Sequence, residues 1–413
     1  MRTAVWLYLF LFVAFFDLHA QYPILTPFAV SLGAAPSFIG LMMGLYSITH
    51  LPGNIIAGYG VDRYGSRLFI VFSLAAAGII LVFQSKVTDP WQLLVLRSIS
   101  GFVLAFLSPA CMALLARLAN DRVQQGKLMA GNGLIHTLAS VVSPAAGAIL
   151  VAQIGFTTAF LILGWILIGT AACALLFIRD VPNQAGEAQQ DETVTEEADH
   201  QHSHSRTPPR KHKKGTLSKE ESRDLAIPWL VYALPIAMSC AQGILSFELP
   251  LMSSTKEGMM TTGLLFSVVS LGALITLSLL FLNRKSAYLR TLWGAFMLAI
   301  TYFAIAAGAP LPLFVLLFIL GMAKGVIFPA LSSLLIELSG GTRYGRTFSV
   351  LSIAFSIGSF IGPMLAGQLR DYVSPYYIAF VGLMIAVSVL PFHTLRPPKA
   401  NAHFTRYPSN YNP

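Results

Sequence analysis

Asp17 and Arg97 each lie within a strongly apolar stretch of the chain. A charged side chain near the centre of a membrane-spanning helix costs at least about 2.5 kcal/mol, so it normally faces a cavity or a partner. At a rise of about 1.5 Å per residue, Asp17 lies roughly 20 Å along its stretch, and Arg97 lies about 9 Å along a stretch of the opposite direction. In a hydrocarbon layer of about 30 Å their depths match. A carboxyl group placed there can take up a proton from one side of a membrane and release it to the other. A permanent ion pair that only fixes helix packing is the alternative.

Glu248 and Lys324 also lie within apolar stretches. Glu248 falls near the end of its stretch, where a coupling or gating role and a surface-facing position agree equally well with the sequence. Lys324 falls near mid-depth, and because a lysine there cannot easily extend to water, we expect it to contact substrate or a carboxylate. Four neutral polar residues are candidates for a substrate cavity, with packing through hydrogen bonds as the alternative: His19, Gln21, His50 and Gln242.

The sequence lacks the motifs of the common catalytic and nucleotide-binding sites. It contains no GxxxxGK[ST] phosphate loop, no HExxH zinc motif and no GxSxG nucleophile elbow. The three cysteines lie in apolar stretches and form no metal-binding pair. Four histidines in a polar segment lack cysteine or carboxylate partners at fixed spacing, so we expect a solvated segment rather than a metal site: His200, His202, His204 and His212. We predict no enzyme, no cofactor and no bound metal.

The composition identifies the surroundings of these residues. Of 413 residues, 55% are hydrophobic and 11% are charged, and the mean hydropathy is +0.68. Soluble domains carry about 25% charged residues, so the sequence predicts an integral membrane protein and excludes a soluble enzyme. The net charge of +9 does not indicate nucleic-acid binding, because the basic residues are spread over many short loops.

Twelve apolar segments are long enough to cross a bilayer, which requires about 20 residues per helix. We number them spans 1 to 12. Span 1 is too long for a removable signal peptide and is followed by no clear cleavage site. The predicted spans cover approximately 4–30, 37–61, 68–84, 91–116, 128–152, 157–178, 226–252, 260–282, 288–308, 312–338, 347–369 and 376–396.

The basic residues predict the orientation. Of the 27 Lys and Arg residues, 22 fall in one set of loops and termini, three in the opposite loops and two inside spans. Such residues accumulate on the cytoplasmic side, so both termini and the central loop are predicted to be cytoplasmic. The polar segment 183–224 is predicted to be a flexible linker. It separates a six-helix bundle at 1–182 from a second at 225–396, and a cytoplasmic tail follows at 397–413.

The two predicted bundles resemble each other in sequence. Ser-Pro109-Ala in span 4 matches Phe-Pro329-Ala in span 10 at an offset of 220, and Pro144 in span 5 matches Pro363 in span 11 at an offset of 219. Aligned prolines in two pairs of corresponding spans predict an internal duplication. Two similar halves around one central site are typical of secondary transporters.

Motifs in the first half resemble those of the major facilitator superfamily. The loop after span 2 contains Gly-Tyr-Gly-Val-Asp62-Arg63-Tyr-Gly65-Ser-Arg67, which is similar to the family's loop 2–3 signature. In span 4, Arg97 followed by a glycine four residues later resembles the family's basic motif of helix 4.

The fifth spans of both halves resemble the family's antiporter motif. Span 5 contains Ser143, Pro144 and Gly147, and span 11 contains Gly362 and Pro363 in a similar pattern. Proline bends a helix and glycine permits close contact between helices, while a packing kink without a transport role is the alternative.

The resemblance implies an all-α integral membrane fold of twelve transmembrane helices in two six-helix, pseudo-symmetric bundles. Helices 1 and 4 line the central cavity of that fold, so Asp17 and Arg97 are expected to interact there. The resemblance also implies a cytoplasmic latch that stabilises one state of the transport cycle, formed by Asp62, Arg63, Gly65 and Arg67.

Similarity to the drug–proton antiporters implies proton-coupled export of a small organic compound by alternating access. Asp17 and Glu248 would then be acidic contacts for an amphipathic or cationic substrate. The alternative is a proton symporter that imports a metabolite, with Lys324 and Arg97 contacting an anionic substrate. A membrane sensor without transport is a third, less favoured hypothesis.

The expected partners follow from these functions. They are a small-molecule substrate, protons and the lipid bilayer, with neither nucleic acid nor an obligatory protein partner, so we expect a monomer. Short predicted extracellular loops without Asn-x-Ser/Thr sequons favour a bacterial cell membrane.

Overall fold

The computed structural model describes residues 2–119, 121–178, 229–252, 255–279, 286–338 and 344–390. Within these ranges the chain is almost entirely helical and contains no strand. The predicted linker and tail lie outside the described residues, as does the far end of predicted span 12. The domain boundaries therefore stay predictions.

The first half contains spans 1 to 6. Two of its spans are interrupted a few residues before a proline, which lacks the N–H needed for a helical hydrogen bond to the preceding turn. Span 1 breaks at Gln21, ahead of Pro23 and Pro27, and span 4 breaks near Ala105, ahead of Pro109. The helices are Arg2–Ala20 and Tyr22–Ser31 (span 1), Pro36–Tyr64 (span 2), Ser66–Gln84 (span 3), Pro90–Leu104 and Leu107–Arg117 (span 4), and Arg122–Phe177 (spans 5 and 6).

Spans 5 and 6 are divided by Gly155 within Arg122–Phe177. This glycine has φ +80° and ψ 167°, a conformation that residues with a side chain rarely adopt. The second half begins with a 3-10 turn, Trp229–Tyr232. Its helices are Ala233–Leu251 (span 7), Lys256–Ser278 (span 8), Ala287–Ala306 (span 9), Leu313–Leu338 (span 10), Tyr344–Leu369 (span 11) and Pro375–Val389 (span 12).

Side chains at loop–helix junctions fix where several helices begin. Asp89 accepts a hydrogen bond from the backbone N–H of Trp91 (2.7 Å), and Asp121 accepts one from that of Gln124 (2.6 Å). Thr255 caps span 8 in the same way, at 3.1 Å from the N–H of Gly258. These caps satisfy backbone donors that have no partner within the helix.

The helices are long and apolar enough for a multi-pass membrane protein. In the described part of the chain, nine helical segments meet the length and hydropathy expected of a membrane span, and Gln124–Phe177, at 54 residues, suffices for two crossings. Pro375–Val389 is a shorter apolar helix. Pro36–Tyr64 is 29 residues long but more polar, since it carries His50, Asn54 and Asp62. Together they account for the twelve predicted spans.

Large apolar side chains occupy both the interior and the outer surface of the bundle. Leu7, Phe160 and Phe247 are buried between helices, whereas Trp165 and Trp293 are exposed by 60% and 66%. Exposed aromatic and aliphatic side chains on this scale are expected where lipid replaces water.

The two halves contact each other through spans 2 and 11, through spans 5 and 8, and through the second helix of span 1, which packs on spans 7 and 8. We call the end of the bundle that carries the span 1–2 and span 5–6 turns the outer end, after the side to which the basic residues assign it. Gly40 of span 2 lies against the backbone of Pro363 in span 11, and Gly263 of span 8 lies against Pro144 in span 5. Both contacts lie in the outer half of the bundle.

Side chains further from the outer end on spans 5 and 8 are exposed. They include His136 on span 5 and, on span 8, Leu271 (40% exposed) and Ile275 (41%). The halves therefore contact each other closely in the outer half of the bundle, and these side chains of spans 5 and 8 are exposed nearer the inner end.

Candidate proton and substrate site

Asp17 and Arg97 are linked through the amide of Gln21. The Nε2 group of Gln21 donates a hydrogen bond to Oδ2 of Asp17 (2.9 Å), and Oε1 of Gln21 accepts one from Nη1 of Arg97 (2.5 Å). Asp17 and Gln21 are four residues apart and share a helix face, while Arg97 reaches across from span 4. Asp17 is 2% exposed and Arg97 is 6% exposed. We call Asp17, Gln21 and Arg97 the relay.

The two charged groups of the relay make no direct ion pair in the structure, so the expected interaction runs through an amide. The guanidinium of Arg97 also lies over the ring of Tyr46 in span 2, with Cζ 4.4 Å from the ring centroid. Such a cation–π contact is worth about 2 kcal/mol or more when it is desolvated. Spans 1, 2 and 4 are thus joined at one buried cation.

Two polar atoms of the relay have hydrogen-bonding capacity to spare. Oδ1 of Asp17 and Nε of Arg97 are buried without a hydrogen-bond partner among the described residues. A groove of about 220 Å³ between spans 1 and 6 reaches Asp17, with walls of apolar side chains: Phe12, Val13, Phe16, Leu163, Ile166 and Leu167. Asp17 is therefore the one ionisable residue that borders this apolar groove.

The second half repeats the link between an amide and a cation. Nζ of Lys324 in span 10 donates to Oε1 of Gln242 in span 7 (2.6 Å), and Nε2 of Gln242 donates to Oγ of Ser246 (3.2 Å). Spans 7 and 10 correspond to spans 1 and 4 of the first half. In each half, a glutamine of the first helix thus accepts a hydrogen bond from a cation of the fourth helix.

Sequence reasoning missed this symmetry, although a signal was present. Ala20-Gln21 and Ala241-Gln242 are identical dipeptides at an offset of 221, next to the offsets of 220 and 219 found for spans 4 and 5. The two cations are not aligned, because Lys324 corresponds to residue 104 and lies about two helical turns further along its span than Arg97. Both glutamines were predicted only as cavity residues.

His19 and His136 form a pair beside Lys324. Their rings lie edge to face with centroids 5.1 Å apart, and Lys324 interacts electrostatically with both. His19 is 8% exposed, and its Nε2 has no hydrogen-bond partner among the described residues. His136 is exposed. Of the two, only His19 was a candidate in the sequence analysis; the structure places the two rings together.

His50 lies on the face of span 2 that carries Tyr46. Its Nδ1 is 2.9 Å from Nδ2 of Asn54, and its ring centroid is 6.2 Å from that of Tyr46. All three side chains are partly exposed. Span 2 therefore presents a polar stripe that runs from the relay towards the inner end.

Glu248 lies apart from the relay, near the outer end of span 7. It is 8% exposed, and its Oε1 is 3.7 Å from Nε of Arg370, at the outer end of span 11. The carboxylate of Glu248 is thus buried and does not face the surface. Its charged neighbour is Arg370 of the same half, and it does not contact the relay.

The residues of the predicted latch lie at the junction of spans 2 and 3. Gly65 has φ +88° and ψ 160° and forms the turn between the two helices. Arg67 donates a hydrogen bond to the backbone carbonyl of Leu175 in span 6, and the guanidinium of Arg63 lies 5.4 Å from the ring centroid of Tyr64. The side chain of Asp62 lies outside the described part, so its role in a latch stays a prediction.

The motif of span 5 lies where three helices meet. A Cβ on Gly147 would lie 2.7 Å from the Cβ of Ala20, beside the relay, and Pro144 contacts Gly263 of span 8. Ser143 donates to the carbonyl of Ala139 within its own helix (2.5 Å). The motif therefore joins span 5 both to span 1 and to the other half.

The corresponding motif of span 11 makes similar contacts. A Cβ on Gly362 would lie 2.2 Å from the backbone oxygen of Cys240 in span 7, and Pro363 lies against Gly40 of span 2. Each motif thus packs on the first helix of its own half and on a helix of the other half.

The described residues hold no cluster of three or more His, Cys, Asp or Glu side chains that could bind a metal ion. The four linker histidines weighed above lie outside the described residues.

Two pseudo-symmetric six-span halves in contact with each other, each with an amide–cation link between its first and fourth helices, are the architecture of a secondary membrane transporter. The chain belongs to the Major Facilitator Superfamily, whose sequence profile matches residues 7–312 and 282–409. The predicted fold class and family are confirmed, and members of this family are transporters of small molecules, not enzymes.

Two relatives that match most of the chain carry multidrug resistance in their names. The chain is 24% identical over 385 residues to the "Multi-drug resistance efflux pump PmrA homolog" of Lactococcus lactis, covering 89% of this chain and 87% of the relative. It is 24% identical over 409 residues to "Multidrug resistance protein MdtG" of Escherichia coli, covering 95% and 93%.

Solved structures support the same fold. A bacterial homolog of the human lysosomal transporter Spinster, in an inward-facing and occupied conformation, matches with a TM-score of 0.71 and 16% identity over 94% of this chain and 95% of that chain. A D-xylose–proton symporter matches with a TM-score of 0.70 and 15% identity over 96% and 99%. At these identities the likeness shows the fold alone.

Proposed function

We propose that this protein exports a small amphipathic organic compound in exchange for protons, by alternating access. The observation that carries the proposal is the relay, which holds a buried carboxylate and a buried guanidinium on two spans through one amide. The names of the multidrug relatives support export as the direction.

The relay connects proton occupancy with helix packing. When Asp17 is ionised, its charge is balanced through Gln21 by Arg97, and this balance holds spans 1 and 4 together. When Asp17 is protonated, that balance is no longer required, and Arg97 is free to strengthen other contacts, such as the one with Tyr46. A carboxyl group that is exposed alternately to the two sides can thereby drive a change between two packings.

The contacts between the halves support an inward-facing state. Gly40 and Gly263 close the outer end, while side chains such as His136 are exposed further in. This assignment uses the predicted orientation, in which both termini are cytoplasmic. In this state the polar stripe of His50 and Asn54 offers a route for protons between the relay and the cytoplasm.

The remaining elements of the proposal concern location and assembly. We place the protein in a bacterial cell membrane, as a monomer whose partners are substrate, protons and lipid and which needs no obligatory protein partner. The cavity is formed by the two halves of one chain, so no second copy is needed to complete it.

Import by proton symport is the second candidate function. Lys324 favours it, because this cation of the second half has a glutamine rather than a carboxylate as its hydrogen-bond partner. A proton on Asp17 and an anion near Lys324 would favour each other's binding electrostatically, which is the thermodynamic basis of symport.

Membrane vesicles of opposite orientation separate these candidates. Export predicts that inverted vesicles, energised with an acidic interior, accumulate an amphipathic test compound, and that Asp17→Asn abolishes this accumulation. Glu257→Gln is the matched control, since Glu257 is an exposed carboxylate in the first turn of span 8. Accumulation by right-side-out vesicles instead would establish the symport mode.

A further inference from the structure

We propose that the transported compound carries an anionic group, and that Lys324, His19 and His136 bind it. This inference rests on the proposed function for its premise that the space between the halves binds substrate. It names the chemical class of that substrate as an amphipathic carboxylate, sulfonate or phosphate ester.

Lys324 is a positive charge without a carboxylate to balance it. Its ammonium group donates to the neutral amide of Gln242, and its electrostatic neighbours are His19 and His136. No carboxylate of the described residues makes an ion pair with it. A lysine at mid-depth in a membrane protein is costly unless a partner is present, and an anionic ligand supplies that partner.

The three charged residues that are fully buried in the described spans, Asp17, Arg97 and Glu248, already have partners. Asp17 and Arg97 balance each other through Gln21, and Glu248 lies 3.7 Å from Arg370. This leaves Lys324 as the net charge of the central region. A monovalent anion beside it brings the sum to zero, whereas a monovalent cation raises it to about +2.

Two histidines within electrostatic range of Lys324 can offer further hydrogen bonds to an anion. Nε2 of His19 is buried without a hydrogen-bond partner among the described residues, and the ring of His136 lies 5.1 Å from that of His19. Because these rings come from spans 1 and 5 and Lys324 comes from span 10, an anion bound by all three would contact both halves. An oxygen of such an anion would satisfy the buried nitrogen of His19.

Aromatic rings adjoin this cationic group and set the character of the rest of the ligand. The ring of Phe15 lies 4.6 Å from that of His136, and the ring of Tyr22 lies 5.4 Å from that of His19. Tyr22 is in turn 6.0 Å from Phe266 of the other half. An anionic head group beside an apolar, preferably aromatic, body therefore fits this region.

Binding of matched compounds to the full-length protein in lipid nanodiscs tests the proposal. The probes share one ring system: 2-naphthoate, 2-naphthalenesulfonate and 2-naphthyl phosphate are anionic, 2-naphthamide is neutral and 2-naphthamidine is cationic. We expect at least one anion to bind wild type at least about tenfold more tightly than the amide and the amidine. Lys324→Gln should remove this preference, while Lys324→Arg should retain it.

The controls separate loss of charge from loss of fold. Thermal melting of each variant verifies folding, and the amide, whose binding needs no cation, should bind Lys324→Gln and wild type equally. The proposal is overturned if no anion binds wild type better than the amide, or if Lys324→Gln keeps the preference for anions. Because binding needs no proton gradient, an anion site in a protein without proton-coupled flux would refute the proposed coupling and leave this inference standing.

Discussion

Gly40→Ala should shift the protein away from the conformation described here. A Cβ on Gly40 would lie 2.3 Å from the backbone oxygen of Pro363, where contacts below 3.0 Å essentially never occur. To bring this distance up to 3.0 Å, spans 2 and 11 would have to separate by about 0.7 Å where Gly40 meets Pro363. Overpacking of this kind costs about 1–3 kcal/mol. Since about 1.4 kcal/mol is a factor of ten, the ratio of outer-closed to outer-open molecules should fall roughly 5- to 150-fold.

A distance measurement between spin labels reads this ratio directly. Labels at Thr88 and Tyr372, both exposed at the outer end in opposite halves, are introduced after the three native cysteines have been replaced. The unsubstituted protein should give mainly the short distance, and Gly40→Ala should add a longer one. Gly133→Ala is the control, because a Cβ there would meet nothing within 4 Å.

If Gly40→Ala folds and its distance distribution is unchanged, the contact of Gly40 with Pro363 does not hold the outer end closed, and the reasoning is refuted. An equal shift in the Gly133→Ala control would refute it as well, because the effect would then not depend on the contact with Pro363.

Further predictions concern the relay, the span 2–3 turn and the movement of charge. Gln21→Leu removes the amide between the carboxylate of Asp17 and the guanidinium of Arg97, so proton-coupled flux should fall at least about tenfold. Gln21→Glu can still accept a hydrogen bond from Arg97 and should retain more flux. Flux assays in proteoliposomes check this order. Gly65→Ala should destabilise the protein by about 1–2 kcal/mol, because φ is +88°, and should lower the melting temperature relative to Gly58→Ala, where a Cβ has open space. Export of a monovalent anion against one proton moves about two positive charges inwards, so an inside-negative potential of 100 mV should contribute about 4.6 kcal/mol per cycle. A potassium diffusion potential should then accelerate export, whereas symport of the same anion with one proton would be insensitive to it.

The number and order of the spans could be predicted from the sequence because they depend on hydropathy over about 20 residues and on the distribution of basic side chains. The breaks in spans 1 and 4 follow from Pro23 and Pro109, but hydropathy does not reveal them, since a proline changes hydrogen bonding without making a segment polar.

The partners of the buried polar residues were harder to predict. The depth argument brought Asp17 and Arg97 to the same level, but depth does not give helix rotation, and rotation decides that Gln21 lies between them. For the same reason the hydrogen bond of Lys324 with Gln242 could not be predicted, while the expected contact of Lys324 with substrate stays a prediction.

The conformational state could not be predicted at all. One sequence must support both outer-closed and outer-open packings, which differ by only a few kcal/mol in a carrier of this kind. The glycines of spans 2 and 8 permit close contact, but only the structure shows that their contacts with Pro363 and Pro144 are formed.

Proton movement in reconstituted liposomes tests the central claim most directly. The protein is incorporated with a pH-sensitive dye inside, a proton gradient is imposed, and the anionic naphthyl compounds are added to wild type, Asp17→Asn and the control Glu257→Gln. We predict compound-evoked proton movement in wild type and in the control, and none in Asp17→Asn. Equal proton movement in Asp17→Asn would contradict the account, because the relay would then be a packing element and the proton would take another path.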